Sequence, residues 1–216
     1  MTFVKICGIK TPEILQVACE AGARFVGFVF YTSSSRYIHP DQAWELARQI
    51  PTGVRSVGLF VNPTDRDLEV TLGRVPLDML QLHGDETPER VEDIRNRYEM
   101  PVIKALPVGS AQDIDAAKAY EDVADWLLFD TKAPVGDYGG TGHSFDWTLL
   151  QQKQFKKPWM LSGGLNSDNV GQALSLLSPA AVDISSGVER VRGEKDPVLV
   201  KGFIEKILSF DRQKSV

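Results

Sequence analysis

Short apolar runs alternate with amphipathic segments along the whole chain. Most runs are rich in β-branched or aromatic residues and stop at small or polar ones, a pattern typical of buried parallel strands. Several of the intervening segments open with a helix-capping residue followed by proline, as Thr11-Pro12 and Thr87-Pro88 do. The predicted strands cover 3–7, 25–30, 54–60, 77–82, 102–105, 126–129 and 158–161, and a last strand begins at Ala181.

The alternation predicts an α/β fold, a single (β/α)8 TIM barrel over 1–216 in which helices surround eight parallel strands. The length of 216 residues suits such a barrel. An open doubly wound sheet is the alternative, but no G-x-G-x-x-G or G-x-x-x-x-G-K-[ST] motif follows an early strand. The sequence therefore gives no reason to expect an organic cofactor.

The net charge and the cysteine content limit the binding partners, metal sites and cellular compartments that the chain could have. The net charge of -5 argues against broad binding to nucleic acid or to an anionic membrane, so an anionic ligand has to be captured locally. Cys7 and Cys19 show neither metal spacing nor a disulfide framework, and the three histidines allow no metal cluster. No targeting segment and no apolar run of membrane-spanning length is present. A reduced, cytoplasmic protein without a metal is predicted.

Two late strands end in small residues. The strand at 158–161 is followed by Ser-Gly-Gly at 162–164, and the last strand by Ser-Ser-Gly at 185–187. Small residues leave backbone N–H groups open to a ligand, and the loops after strands 7 and 8 of such barrels frequently form a phosphate site. Two ordinary turns would give the same pattern. The predicted phosphate-binding residues are Gly163, Gly164, Ser185, Ser186 and Gly187.

Polar side chains mark other strand ends, which meet at the mouth of a barrel. They are Cys7 after strand 1, Arg36 in the loop after strand 2, Gln81 and His83 at strand 4, Asp130 at strand 6 and Asp183 inside strand 8.

Four of these residues also have a simpler interpretation. Cys7 would serve equally as a small core residue, but Lys5 shares its strand face and would favour the thiolate. Asp183 is too costly to bury alone, so it either faces the pocket or pairs with Lys5. His83 could also be an ordinary loop residue. Arg36 could be a solvated loop residue, although its planar guanidinium matches the geometry of a carboxylate.

Short fragments distributed over nearly the whole chain carry a combined signal. They are KICG at 5–8, SSRYI at 34–38, VGLF at 57–60, QLHG at 81–84, FD at 129–130, GGTG at 139–142, FDW at 145–147, LSGGL at 161–165 and VDISSGVE at 182–189. Taken together, these fragments resemble the phosphoribosylanthranilate isomerase family. The resemblance implies a (β/α)8 barrel, tryptophan biosynthesis and no cofactor. Ser35 stands where that family usually has proline, and His39 where it usually has a small hydroxyl residue.

The resemblance also implies residue roles for an Amadori rearrangement of an aminoaldose phosphate to an aminoketose phosphate. Cys7 would be the general base and Asp130 the general acid, which must hold a proton near neutral pH. Arg36 would bind the anthranilate carboxylate. The further residues expected to bind substrate are Lys5, Gln81, His83, Gly142 and Asp183.

The expected partner is a small phosphorylated sugar-anthranilate, and the chain would act as a monomer or homodimer. A barrel that only binds or senses a phosphorylated metabolite is the alternative, since fold does not fix function. It would explain the phosphate site but not the acid and base candidates at the strand ends.

Overall fold

A computed structural model of the protein describes residues 1–132 and 144–214. The eight strands β1 to β8 pair in sequence order as parallel neighbours and close into a barrel, with β8 returning to β1. The fold class predicted from the alternation is therefore confirmed. No helix that the structure describes combines the length and apolar character needed to cross a bilayer.

The elements follow one another in the order of a (β/α)8 barrel. They are β1 Phe3–Cys7, α1 Pro12–Ala21, β2 Phe25–Val29, α2 Pro40–Ala47, β3 Arg55–Phe60, α3 Asp65–Leu72, β4 Met79–Leu82, α4 Pro88–Tyr98, β5 Val102–Val108, α5 Ala111–Ala116, β6 Trp126–Thr131, β7 Trp159–Leu161, α6 Val170–Leu176, β8 Ala181–Ile184, β9 Glu189–Val191, β10 Glu194–Lys195 and α7 Pro197–Lys214, with 3₁₀ turns at Ala117–Tyr120, Trp147–Leu150 and Ser186–Val188.

The barrel interior changes from apolar to polar along the strands. Side chains two residues apart share a face, and the lower interior holds a buried apolar cluster that includes Met79, Leu128 and Met160. One step further toward the carboxyl ends, the same faces carry Gln81 and Asp130, both almost fully buried. The outward faces pack against the helices in the main core. The strand periodicity thus directs the polar side chains to the mouth of the barrel.

Two units depart from the predicted eight βα pairs. Between β6 and β7 the described residues contain only the 3₁₀ turn Trp147–Leu150 in place of an α-helix. After β8 the chain forms a hairpin of β9 and β10 before α7, which no pattern in the sequence indicates. This hairpin proves important for the site.

Of the two residues that differ from the usual wording of the resemblance, His39 has a local explanation, and nothing in the described structure explains Ser35. His39 caps α2, because its Nδ1 accepts a hydrogen bond from the backbone N–H of Asp41 (3.3 Å). It therefore does the work of a small hydroxyl residue at a helix start. The Ser35 carbonyl accepts a hydrogen bond from Lys10 Nζ (3.0 Å), which ties the loop after β2 to the loop after β1.

Candidate active site

A pocket opens at the carboxyl ends of the strands and encloses about 670 Å³ of empty space, including space open to solvent. Several predicted site residues meet there although they are far apart in sequence. The described residues that line it are Cys7, Val29, Tyr31, Ser34, Arg36, Leu59, Val61, His83, Asp130, Ser162, Gly163, Gly164, Leu165, Asp183, Ile184, Ser185 and Ser186.

One wall of the pocket is apolar. Cys7, Val29 and Leu59 form a small buried cluster of their own, against which Tyr31 and Val61 pack. The lining also includes the glycine and serine loops after β7 and β8. The pocket can therefore hold a molecule with a flat apolar end and an anionic end.

Cys7 sits above a buried ion pair. Lys5 Nζ lies 2.7 Å from Asp183 Oδ1, and Asp183 Oδ2 accepts a hydrogen bond from Ser162 Oγ at 3.4 Å. Both alternatives for Asp183 are therefore realised, because it pairs with Lys5 and also lines the pocket. Lys5 itself is fully buried. It supports the pocket floor from below.

Burial changes the expected effect of Lys5 on the thiol. Burial raises the pKa of the Cys7 thiol. The positive charges of Lys5 and Lys195 lower this pKa and the negative charge of Asp183 raises it, so that the net direction is upward. The charge of Lys5 does favour the thiolate, as expected, but the desolvation of the buried thiol has the larger effect and favours the neutral form. Burial also lowers the pKa of Lys5, yet Asp183 and Cys7 more than compensate and the lysine stays charged.

Asp130 is held by two contacts and is 7% exposed. Its Oδ1 accepts a hydrogen bond from the Thr131 backbone N–H (2.8 Å), and its Oδ2 lies 3.2 Å from His83 Nε2. His83 Nδ1 in turn lies 2.9 Å from Gln81 Nε2. Gln81 is fully buried and does not line the pocket, so it contacts His83 from behind. Gln81, His83 and Asp130 form a continuous chain ending at the pocket.

Arg36 is clamped by residues from the hairpin after β8. Its Nε and Nη2 donate to Glu189 Oε1 (2.7 Å) and Oε2 (2.9 Å). Lys195 Nζ donates to Glu189 Oε1 at 3.1 Å. Arg36 is 7% exposed and lines the pocket, so the solvated alternative for it is wrong.

Glu189 should make stability depend on acid pH. Burial raises its pKa, but Arg36, Lys195 and Gly193 outweigh burial and bring the value from 4.5 to about 2. A tenfold change in proton affinity corresponds to about 1.4 kcal/mol in the free energy of unfolding. The shift at Glu189 therefore contributes at most about 3 kcal/mol to stability, and solvent screening near the pocket reduces this contribution to about 2 kcal/mol. A group with a lowered pKa stabilises the fold above its unfolded value and loses that effect as pH falls.

We therefore expect Glu189→Gln to be less stable than the parent at pH 6, with the difference shrinking between about pH 4.5 and pH 2. Urea unfolding at several pH values would measure it. Glu194→Gln is the matched control, because Glu194 lies on the same hairpin and its side chain is 60% exposed. A difference that stays constant down to pH 2 would contradict the assigned coupling.

The glycine and serine loops leave backbone donors available. Within the described part of the chain, no hydrogen bond uses the backbone N–H of Gly163, Gly164, Ser186 or Gly187. Gly163 and Gly164 have φ of +87° and +60°, which side chains other than glycine adopt rarely. Gly187 does not line the pocket but packs so closely on Leu165 that a Cβ would lie 1.9 Å from the Leu165 oxygen. Gly142 lies outside the described residues.

Gly164→Val tests the phosphate prediction. A side chain there would cover the backbone donors, and losing a charge-assisted hydrogen bond weakens binding by about tenfold or more. We expect the substrate KM and the inhibition constant of inorganic phosphate to rise together. Gly171→Val is the control, because a Cβ at that helical glycine would meet nothing within 4 Å. An unchanged KM would remove Gly164 from the phosphate site.

Sequence reasoning missed the residues that support the site. Lys104 and Glu86 form a buried ion pair (2.7 Å), and Lys104 Nζ also donates to the Gly84 carbonyl (2.6 Å), which fixes the loop carrying His83. Lysine inside an apolar strand was the available signal. Gly27 lies opposite Cys7, where a Cβ would come within 3.0 Å of Sγ.

Comparisons with known proteins point to one family. A family model described as N-(5'phosphoribosyl)anthranilate (PRA) isomerase matches residues 4–206. The N-(5'-phosphoribosyl)anthranilate isomerase of Rhodospirillum centenum is 55% identical over 204 residues, which cover 93% of this chain and 95% of that protein.

Two solved structures extend the likeness to three dimensions. The phosphoribosyl anthranilate isomerase of Thermotoga maritima has a TM-score of 0.88 and 41% identity, covering 97% of this chain and 100% of that one. A phosphoribosyl anthranilate isomerase in complex with reduced 1-(o-carboxyphenylamino)-1-deoxyribulose 5-phosphate has a TM-score of 0.85 and 38% identity, with coverage of 97% and 100%.

Proposed function

The chain belongs to the N-(5'-phosphoribosyl)anthranilate isomerase family, and from that premise we propose which of its residues carry out the isomerisation. It is an isomerase of tryptophan biosynthesis that converts N-(5'-phosphoribosyl)anthranilate to 1-(2-carboxyphenylamino)-1-deoxyribulose 5-phosphate. The observation that carries the assignment is that Cys7 and Asp130, from β1 and β6, line one pocket together with the glycine loops.

Asp130 acts as the general acid in the first step. Protonation of the ribose ring oxygen lets the C1'–O bond break, and the nitrogen lone pair forms an iminium at C1'. The contact of Asp130 with His83 Nε2 supports this role. In the orientation described above, Gln81 Oε1 has no partner among the described residues. Exchanging the amide oxygen and nitrogen, which have nearly the same shape, lets the oxygen accept a hydrogen bond from His83 Nδ1. The lone pair of His83 Nε2 then accepts a hydrogen bond from protonated Asp130.

Cys7 acts as the general base in the second step. The iminium makes the C2' hydrogen acidic, and the thiolate removes it as a proton. The C–H electron pair forms a C1'=C2' double bond, and the C1'=N π electrons return to the nitrogen as its lone pair. Tautomerisation of the resulting enaminol gives the ketone at C2'. Lys5, paired with Asp183 below the thiol, supplies a nearby positive charge that favours the thiolate.

The remaining residues orient the substrate. The phosphate accepts hydrogen bonds from the backbone N–H groups after β7 and β8. The anthranilate ring packs on the apolar wall of Val29 and Leu59, and its carboxylate binds Arg36. Holding both ends fixes C1' and C2' between acid and base, which removes much of the orientational cost of the reaction.

The function is tested by turnover. Freshly prepared phosphoribosylanthranilate is fluorescent, and its fluorescence should fall as the purified protein consumes it. A protein that binds the substrate without consuming it would instead support the alternative of a metabolite-binding barrel.

We also propose a cytoplasmic location for the protein. Cys7 and Cys19 are both free thiols, which suits the cytoplasm. We propose a monomer or a homodimer as the active unit. Light scattering during size exclusion, combined with activity measured over a dilution series, would establish whether the active unit is a monomer.

A further inference from the structure

Glu189 lies at the start of β9, behind Arg36 as seen from the pocket. Its carboxylate accepts two hydrogen bonds at each oxygen. Oε1 accepts from Arg36 Nε and Lys195 Nζ, and Oε2 from Arg36 Nη2 (2.9 Å) and the Gly193 backbone N–H (3.0 Å). A carboxylate has about four acceptor positions, so these four bonds saturate it. Glu189 has nothing left to offer a substrate and acts through its protein partners.

These bonds divide the Arg36 guanidinium into two edges. The edge formed by Nε and Nη2 is occupied by Glu189. Hydrogen bonds from Nη1 are absent within the described part of the chain, and the Nη1/Nη2 edge has the fork geometry that a carboxylate requires. Arg36 can therefore hold Glu189 with one edge and an anionic ligand with the other.

Two glycines let Arg36 lie in this position. A Cβ on Gly8 would come within 3.1–3.3 Å of the Arg36 stem, and a Cβ on Gly193 would lie 2.6 Å from the carbonyl oxygen of Ser35. Both glycines have positive φ. The loop carrying Arg36 is thus packed between the loop after β1 and the hairpin that carries Glu189.

If Glu189 acts only through its charge, removing it should have the opposite effect on the binding of an anionic ligand from the effect expected if it positions Arg36. Arg36, Lys195 and Glu189 together carry a net positive charge, and removing the carboxylate would increase it. On charge alone, an anionic ligand should then bind more tightly. If Glu189 instead fixes the guanidinium, its removal frees a flexible side chain beside a second buried cation, and the same ligand should bind more weakly.

We propose that Glu189, held by Lys195 and Gly193, is a positioning residue that directs the free edge of Arg36 into the pocket and so sets selectivity for a carboxylate on the aromatic ring. This inference rests on the proposed function of Arg36 in binding the anthranilate carboxylate. The role belongs to the hairpin after β8, which otherwise contributes no residue to the pocket lining given above.

The test compares two inhibitors on the intact enzyme. One is reduced 1-(o-carboxyphenylamino)-1-deoxyribulose 5-phosphate, and the other is the same molecule without the ring carboxyl group. The ratio of their inhibition constants measures carboxylate selectivity. We expect Arg36→Ala to lower this ratio by about tenfold or more, and Glu189→Gln to lower it by about fivefold, while the constant for the inhibitor without carboxylate stays within about twofold.

The outcomes separate the two proposals. An unchanged ratio in Arg36→Ala would refute the role of Arg36, and this inference with it. A reduced ratio in Arg36→Ala together with an unchanged or higher ratio in Glu189→Gln would refute only the positioning role. Glu189→Asp, which keeps the charge but shortens the side chain, gives a second measurement if the glutamine variant does not fold, and it should also lose selectivity. Glu194→Gln is the control that should match the parent.

Discussion

Asp130→Asn should lower kcat by about 10²-fold or more, because general acid catalysis typically contributes at least that much. Asparagine has nearly the same shape, so its amide oxygen can still accept the hydrogen bond that the Thr131 backbone donates. It has no acidic proton, however, and opening of the ribose ring would have to draw one from water. We expect the loss in kcat rather than in substrate binding.

Fluorescence progress curves would measure the effect, with thermal unfolding and inhibitor affinity recorded on the same preparation. Asp122→Asn is a suitable control, because it makes the same change of charge at a side chain that is 79% exposed. If a folded Asp130→Asn protein turns over substrate near the parental kcat, Asp130 is not the acid.

Cys7→Ser should produce a loss of similar size, about 10²-fold or more in kcat. Serine fits the same space beside Gly27, but a hydroxyl is far less acidic than a thiol and gives almost no anion near neutral pH. Burial already raises the pKa of the Cys7 thiol, so even the parent enzyme holds the reactive thiolate as a minor form before substrate binds. The variant should therefore keep its fold and its affinity for the product analogue.

Cys19→Ser separates general effects of thiol removal from the role of Cys7, because Cys19 lies in α1, outside the pocket. It should retain parental turnover. Near-parental kcat in Cys7→Ser would transfer the base function to another group, and loss of inhibitor binding would indicate a collapsed pocket.

The strand pattern was sufficient to predict the barrel because each strand end carries its own local signal. Phe3–Cys7 begins and ends where the apolar run does. The runs at β5 and β6 extend further than predicted, to Val108 and Thr131. Parallel pairing between these two strands continues beyond the predicted strand ends, and no local pattern reports such partners.

The electrostatics of the site could not be predicted in the same way. Glu189 is 153 residues from Arg36, and their contact exists only because the hairpin packs against the loop after β2. The polar sequence of that hairpin contains no apolar alternation from which strands could be inferred. For Cys7, the sequence indicates the neighbouring cation but not the degree of burial, and burial decides the direction of its pKa.

The Lys5–Asp183 pair joins the first strand to the last, across 178 residues of chain. Until β8 docks on β1, Cys7 has no floor beneath it and the loop of Ser185 has no fixed position relative to the thiol. A partly folded chain in which β8 has not yet docked would lack the side of the active site that Asp183 and Ser185 form. Recovery of enzymatic turnover during refolding should therefore report the last topological event, the closing of the barrel seam, later than circular dichroism reports the helices.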